Sequence, residues 1–94
     1  MDLGLQGKRV LVTGGASGLG AQLSRTLVAE GAKVAINYRS REGEAQALVS
    51  DLSAENAVAI RADLSVRSEV NDLFDRAVSA FGGLDILVNN AGLW

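Results

Sequence analysis

The apolar positions of this chain fall into two alternating rhythms. Short runs rich in Val, Ile and Leu occupy Arg9–Thr13 and residues 33–37, 58–61 and 85–89. Each is bounded by Gly or polar residues, the pattern of strands buried in a parallel sheet. Between them lie stretches with helical spacing. The first covers 18–30, with Leu19, Leu23 and Leu27 on one face and Gly31 as its stop signal. The second covers 41–54, where Ala45, Leu48, Val49 and Leu52 recur at i, i+3, i+4 and i+7. The third covers 66–81, faced by Val70, Leu73, Phe74, Ala77, Val78 and Phe81, and Gly82 and Gly83 end it.

Strands that alternate with helices predict an α/β fold: a Rossmann-like doubly wound parallel sheet with right-handed crossovers and helices on both faces. The expected strand order is 3-2-1-4. That order puts a switch point between the first and fourth strands, and ligands of such sheets bind there, beyond the carboxyl ends of the strands. Residues 1–94 read as one unit within a single domain. No repeat, linker or low-complexity segment interrupts it. Trp94 directly follows a strand-like run with no polar tail, so the chain is expected to be cut from a longer one.

Composition narrows the chemistry. The chain has neither Cys nor His. Disulfides, zinc-finger sites, Cys nucleophiles and a Ser-His-Asp triad are therefore excluded within it, and no metal site is expected. Hydrophobic residues make up 48%, which suits a globular domain. Nine basic and eleven acidic residues are spread along the chain for a net charge of −2. No basic run marks a nucleic-acid surface. No apolar stretch is long enough to span a bilayer, and the N-terminus lacks the order of a signal peptide. Neither nucleic acid nor membrane is expected as a partner, and cytoplasmic residence is expected.

The richest local signal follows the first strand. Thr13-Gly14-Gly15-Ala16-Ser17-Gly18-Leu19-Gly20 turns a strand sharply into a helix. Backbone N–H groups at such a turn can face an anion. Gly14 permits the tight turn, Gly18 leaves no Cβ between backbone and a pyrophosphate, and Gly20 lets the helix pack closely. Ser17 can add a hydroxyl hydrogen bond to a phosphate. A P-loop is rejected, because Ala21 stands where its Lys must be. The common G-x-G-x-x-G fingerprint also fails, since Leu23 occupies its third glycine position. From the turn alone, a strand-to-helix corner with no ligand remains an alternative.

Three motifs together carry a family resemblance. Thr13-Gly14-x-x-x-Gly18-x-Gly20, Asp63 after the third strand, and Asn89-Asn90-Ala91-Gly92 after the fourth resemble the classical short-chain dehydrogenase/reductase family. The resemblance covers essentially the whole chain, but only the N-terminal part of a family member, and it implies that residues 1–94 are the N-terminal dinucleotide-binding part of a single domain. It implies that the Leu19 N–H meets the pyrophosphate. It implies that Asp63 accepts a hydrogen bond from the adenine amino group and that the Leu64 N–H meets the ring. Asn90, Ala91 and Gly92 would lie beside the adenosine ribose and the nicotinamide end, while Asn89 would hold neighbouring sheet backbone. On its own, Asp63 also reads as a turn carboxylate ahead of the third helix.

The end of the second strand discriminates between cofactors. An acidic residue there would bond the ribose 2′-OH of NAD and repel a 2′-phosphate. The family's acidic position falls on Tyr38, and Arg39 and Ser40 follow it. A guanidinium can grip a phosphate through two parallel hydrogen bonds and can stack on adenine, and Ser40 can donate a third bond. Tyr38, Arg39 and Ser40 therefore join the expected cofactor residues, with NADP preferred and NAD possible. Arg41 reads as surface. The second basic position that some NADP-dependent relatives carry in the glycine turn is Ala16 or Ser17 here, which allows dual use. A methyltransferase is disfavoured, because its fold wants an acid where Tyr38 sits.

The family's reaction uses a Tyr and a Lys four residues apart, with a Ser before them. The one Tyr is Tyr38, and Glu42 stands four residues on; the lysines are Lys8 and Lys33. No catalytic residue is expected in this chain. The longer parent is expected to move a hydride between NADP(H) and a small carbonyl or alcohol substrate, and to be a homo-oligomer. Two alternatives stay open: a dinucleotide-binding module without catalysis, and a truncation product without function.

Overall fold

The computed structural model describes residues 4–90. The elements run β1 (Arg9–Thr13), α1 (Gly18–Ala29), β2 (Lys33–Tyr38), α2 (Glu42–Leu52), β3 (Ala57–Arg61), α3 (Arg67–Phe81) and β4 (Ile86–Asn89). The four strands are parallel and ordered β3-β2-β1-β4, as expected from the sequence. Val10 stands opposite Val34 on one side and Ile86 on the other.

Side chains alternate across the strands, so the sheet carries a core on each face. Val10, Val12, Val34 and Ile36 point to the side covered by α1 and α2, where they meet Leu27, Ala45 and Leu48. Leu11, Ala35 and Ile60 point to the other side and meet Leu73 and Ala77 of α3. Among the described residues, one face thus has two helices and the other has one. β4 is the least covered strand: its residues alternate between partly buried and exposed, and Leu87 is 49% exposed. The buried-strand pattern read from the sequence holds for the inner pair, and β4 is the more exposed because it lies at the end of the described strand order.

Two helical faces differ from the periodic reading. On α1 the buried residues are Gly20, Ser24 and Leu27, whereas Leu19 is 74% exposed. The small side chains let the helix ride close to the turn that precedes it. A Cβ on Gly15 would stand 3.2 Å from Ser24 Oγ, and that hydroxyl donates to Gly20 O at 2.9 Å. Leu19 lies in the first turn of the helix and takes no part in that contact row. On α3, Leu73 and Ala77 are buried and Phe74 and Phe81 pack beside them, but Val78 is exposed. The buried row of α3 is narrower than its apolar stripe because a single helix covers that face.

The bottom of β4 is held by ionic hydrogen bonds. Arg9 donates from Nε to Asp85 Oδ2 at 2.9 Å and from Nη2 to Asp85 Oδ1 at 3.0 Å. The Asp85 N–H returns a bond to Arg9 O at 2.8 Å. Parallel guanidinium–carboxylate bonds are strong and directional, so they set the register of β4 on β1 at the end opposite the glycine turn.

Candidate nucleotide-binding site

The carboxyl ends of β1 and β4 lie side by side, with Thr13 opposite Asn89. The chain leaves β1 through Gly14, whose φ of +62° suits glycine, and enters α1 at Gly18 with φ of +55°. Ser17 is the N-cap of α1 and makes no side-chain capping bond. The first-turn N–H groups, which a helix cannot satisfy internally, receive no bond from it. A Cβ on Gly18 would meet nothing within 4 Å. A Cβ on Gly20, in contrast, would strike Gly14 O and come within 2.6 Å of Asn90 Nδ2. The close packing expected of Gly20 is real, and its partner is the turn itself together with the end of β4.

Three polar side chains pin this corner. The Thr13 hydroxyl donates within reach of Asn89 Oδ1 (3.1 Å) and Val88 O (3.3 Å), and it accepts the Asn90 N–H at 3.0 Å. Asn90 Nδ2 donates to Gly14 O at 3.1 Å. Asn37, in β2, accepts the Gly14 N–H on Oδ1 at 3.2 Å, and its main-chain oxygen accepts the Gly15 N–H at 3.0 Å. Asn89 holds the neighbouring strand, but through the Thr13 hydroxyl and not through the sheet backbone expected of it. Asn90 also braces this corner, since its side-chain amide bonds the turn.

Two hollows flank the ends of β2 and β3. The larger, about 550 Å³, includes Asp63, Leu64, Ser65 and Phe74 among its walls. The smaller, about 150 Å³, is bordered by Ala16, Ser17, Ser40 and Arg41. Gly14, Asn37 and Arg39 belong to both. Tyr38 borders the smaller hollow but is buried in the core beneath α1 and α2. Arg39 has a 74% exposed side chain, and its Nε lies 3.9 Å from Asp63 Oδ2. Arg41, read as surface, is exposed and pairs with Glu44 at 3.0 Å, yet it also borders the smaller hollow.

Asp63 divides its two oxygens. Oδ1 accepts the Ser65 hydroxyl at 2.7 Å and the Ser65 N–H at 2.9 Å, which closes a turn ahead of α3. Oδ2 is the oxygen toward Arg39. The hydrogen bonds from Ser65 hold this carboxyl below its ordinary pKa, and the Arg39 and Arg61 charges add to the effect. Asp63 is therefore an ionised acceptor at neutral pH. The turn role foreseen from the sequence is present, and it leaves one oxygen for another partner.

The structure thus brings Gly14, Ser17, Tyr38, Arg39, Ser40, Asp63 and Leu64 around the two hollows, with Gly18 and Leu19 exposed at the start of α1 and Gly20 and Asn90 behind the turn. Ala91 and Gly92 lie outside the described residues. The periodic reading passed over Asn37. Its signal was a lone amide between Ile36 and Tyr38, after the apolar run Val34-Ala35-Ile36. Among the described residues, no cluster of carboxylates could hold a metal ion, and no helix is long and apolar enough to cross a membrane.

A parallel sheet of this order, with a glycine turn at its switch point, defines an NAD(P)-binding Rossmann segment. The chain belongs to the short chain dehydrogenase family, which matches residues 8–94. It is 47% identical over 91 residues to 3beta-hydroxysteroid dehydrogenase 1 of Eggerthella lenta, across 95% of this chain and 35% of that protein. A short chain dehydrogenase of Burkholderia cenocepacia in complex with NADP superposes with a TM-score of 0.89 at 52% identity, over 95% of this chain and 37% of that one. The 3-ketoacyl-(acyl-carrier-protein) reductase of Brucella melitensis, complexed with NADH, superposes with a TM-score of 0.88 at 38% identity, over 95% and 36%. The chain spans just over a third of the length of these relatives.

Proposed function

We propose that residues 1–94 form the N-terminal, NADP(H)-holding part of an oxidoreductase domain whose reaction centre lies on other residues. One observation carries the reading. The glycine turn sits at the switch point with its first helical turn uncapped, and Gly20 is locked against Gly14 and Asn90. A dinucleotide fits the residues present. Open space beside Gly18 admits a pyrophosphate to the backbone, where the Leu19 N–H and the Ser17 hydroxyl serve as donors. The ionised Asp63 supplies an acceptor for the adenine amino group, beside Leu64. Asn90 borders the ribose and nicotinamide end.

The smaller hollow supports a preference for NADP. Arg39, Ser40 and Ser17 surround it, and among the described residues no acidic side chain borders it to repel a 2′-phosphate. Tyr38 fills the position where an acid would select NAD. When bound, the nicotinamide supplies or accepts a hydride, exchanged with a carbonyl or alcohol substrate in the longer protein, which assembles as a homo-oligomer. This chain's own work is to bind and orient the dinucleotide.

Isothermal titration of the full chain tests the reading. Arg39→Ala is expected to weaken NADP binding by about 1.5–3 kcal/mol, the worth of a charged hydrogen bond. NAD binding should barely change. Equal losses for both cofactors refute the phosphate assignment, and no binding of either by the unaltered protein refutes the nucleotide site.

A further inference from the structure

We infer that Asn37 is a positioning residue that couples the two hollows of the nucleotide site, an inference that rests on the nucleotide reading above. Asn37 is 2% exposed and reaches in two directions. Toward β1, it accepts the Gly14 N–H on its side chain and the Gly15 N–H on its main chain. Toward β3, its Nδ2 lies 3.3 Å from Ala62 O and 3.4 Å from Ile60 O. Ala62 directly precedes Asp63. One amide therefore connects the phosphate-facing turn to the segment that presents the carboxylate.

Packing alone does not call for this residue. Ala35, two positions earlier in β2, meets the α3-side core with a plain methyl group. A buried amide is costly unless both its donor and its acceptor are used. Here both are used, each on a different side of the site. Gly14, Asn37 and Arg39 also form the boundary that the two hollows share. The distance between turn and carboxylate is thus set through the Asn37 side chain. A dinucleotide must engage both at once, whereas adenosine 2′-monophosphate lacks the pyrophosphate and meets the turn only where Gly14, Ala16 and Ser17 border the smaller hollow.

The test compares those two ligands on the full chain. Asn37→Leu keeps the side-chain size and removes both hydrogen-bonding arms. NADP affinity is expected to fall tenfold or more, and affinity for adenosine 2′-monophosphate by only about threefold. Equal losses for the two ligands, or no loss for either, overturn the inference. Failure of the unaltered protein to bind NADP overturns the nucleotide reading itself and is seen before any variant is made. Should the Leu variant not fold, amide exchange in the unaltered protein decides the matter. Adenosine 2′-monophosphate is expected to slow exchange about threefold at Gly15, which bonds Asn37 O and does not line either hollow, and unchanged exchange there overturns the coupling.

Discussion

Ser53 ends α2 with φ of +75° and ψ of 146°, a backbone region that only glycine occupies without strain. Its main-chain oxygen accepts the Asn56 and Ala57 N–H groups, which holds it there. Ser53→Gly is expected to stabilise the fold by about 1 kcal/mol, read as a higher urea midpoint at unchanged slope. A lower midpoint would show that the Ser53 hydroxyl, 3.1 Å from Asn56 Nδ2, outweighs the strain. Single residues were the least legible level of the sequence. Gly14, Gly18 and Asp63 announced themselves, because positive φ and an ionised acceptor demand particular residue types. Asn37 and the buried Ser24 did not, because a polar side chain inside an element looks solvent-facing until its partners are known. Leu19 misled in the opposite direction: its spacing matched a buried row, but the helix packs through its small residues.

At the level of elements, the sequence was far more readable. All four strands and three helices stand where the alternation of periods put them, and end positions differ by only a few residues. The gaps have physical causes, such as the Ser53 turn that stops α2 short. What the pattern did not contain was the clamp between Arg9 and Asp85, because two charged residues at strand ends have no periodicity. The hydrogen bonds from Arg9 hold the Asp85 carboxyl well below its ordinary value. A carboxyl with a lowered folded-state pKa contributes stability above its unfolded pKa, near 4, and loses it as pH falls from there toward the folded value. The fold is thus expected to lose stability progressively below about pH 4. Asp85→Asn should be less stable at pH 7 and show a flatter acid limb. An unchanged acid limb in urea titrations across pH would sever the link to this pair.

The whole molecule is unevenly clothed. α1 and α2 cover one face, α3 alone covers the other, and among the described residues β4 pairs only with β1. A free strand edge next to exposed apolar surface invites pairing between copies. The 94-residue chain by itself is expected to self-associate with rising concentration, and Leu87→Lys should reduce the tendency. Sedimentation showing a monodisperse monomer at every concentration would contradict this. The strand order has a consequence for how the protein is made. The glycine turn exists chemically once residue 20 has been synthesised, yet Gly14 O bonds Asn90 and the Thr13 hydroxyl bonds Val88, Asn89 and Asn90, 75 to 77 positions later. Contacts so distant along the chain form late. A nascent chain still on the ribosome would carry the corner half-built, unable to grip a nucleotide until its fourth strand emerged and docked.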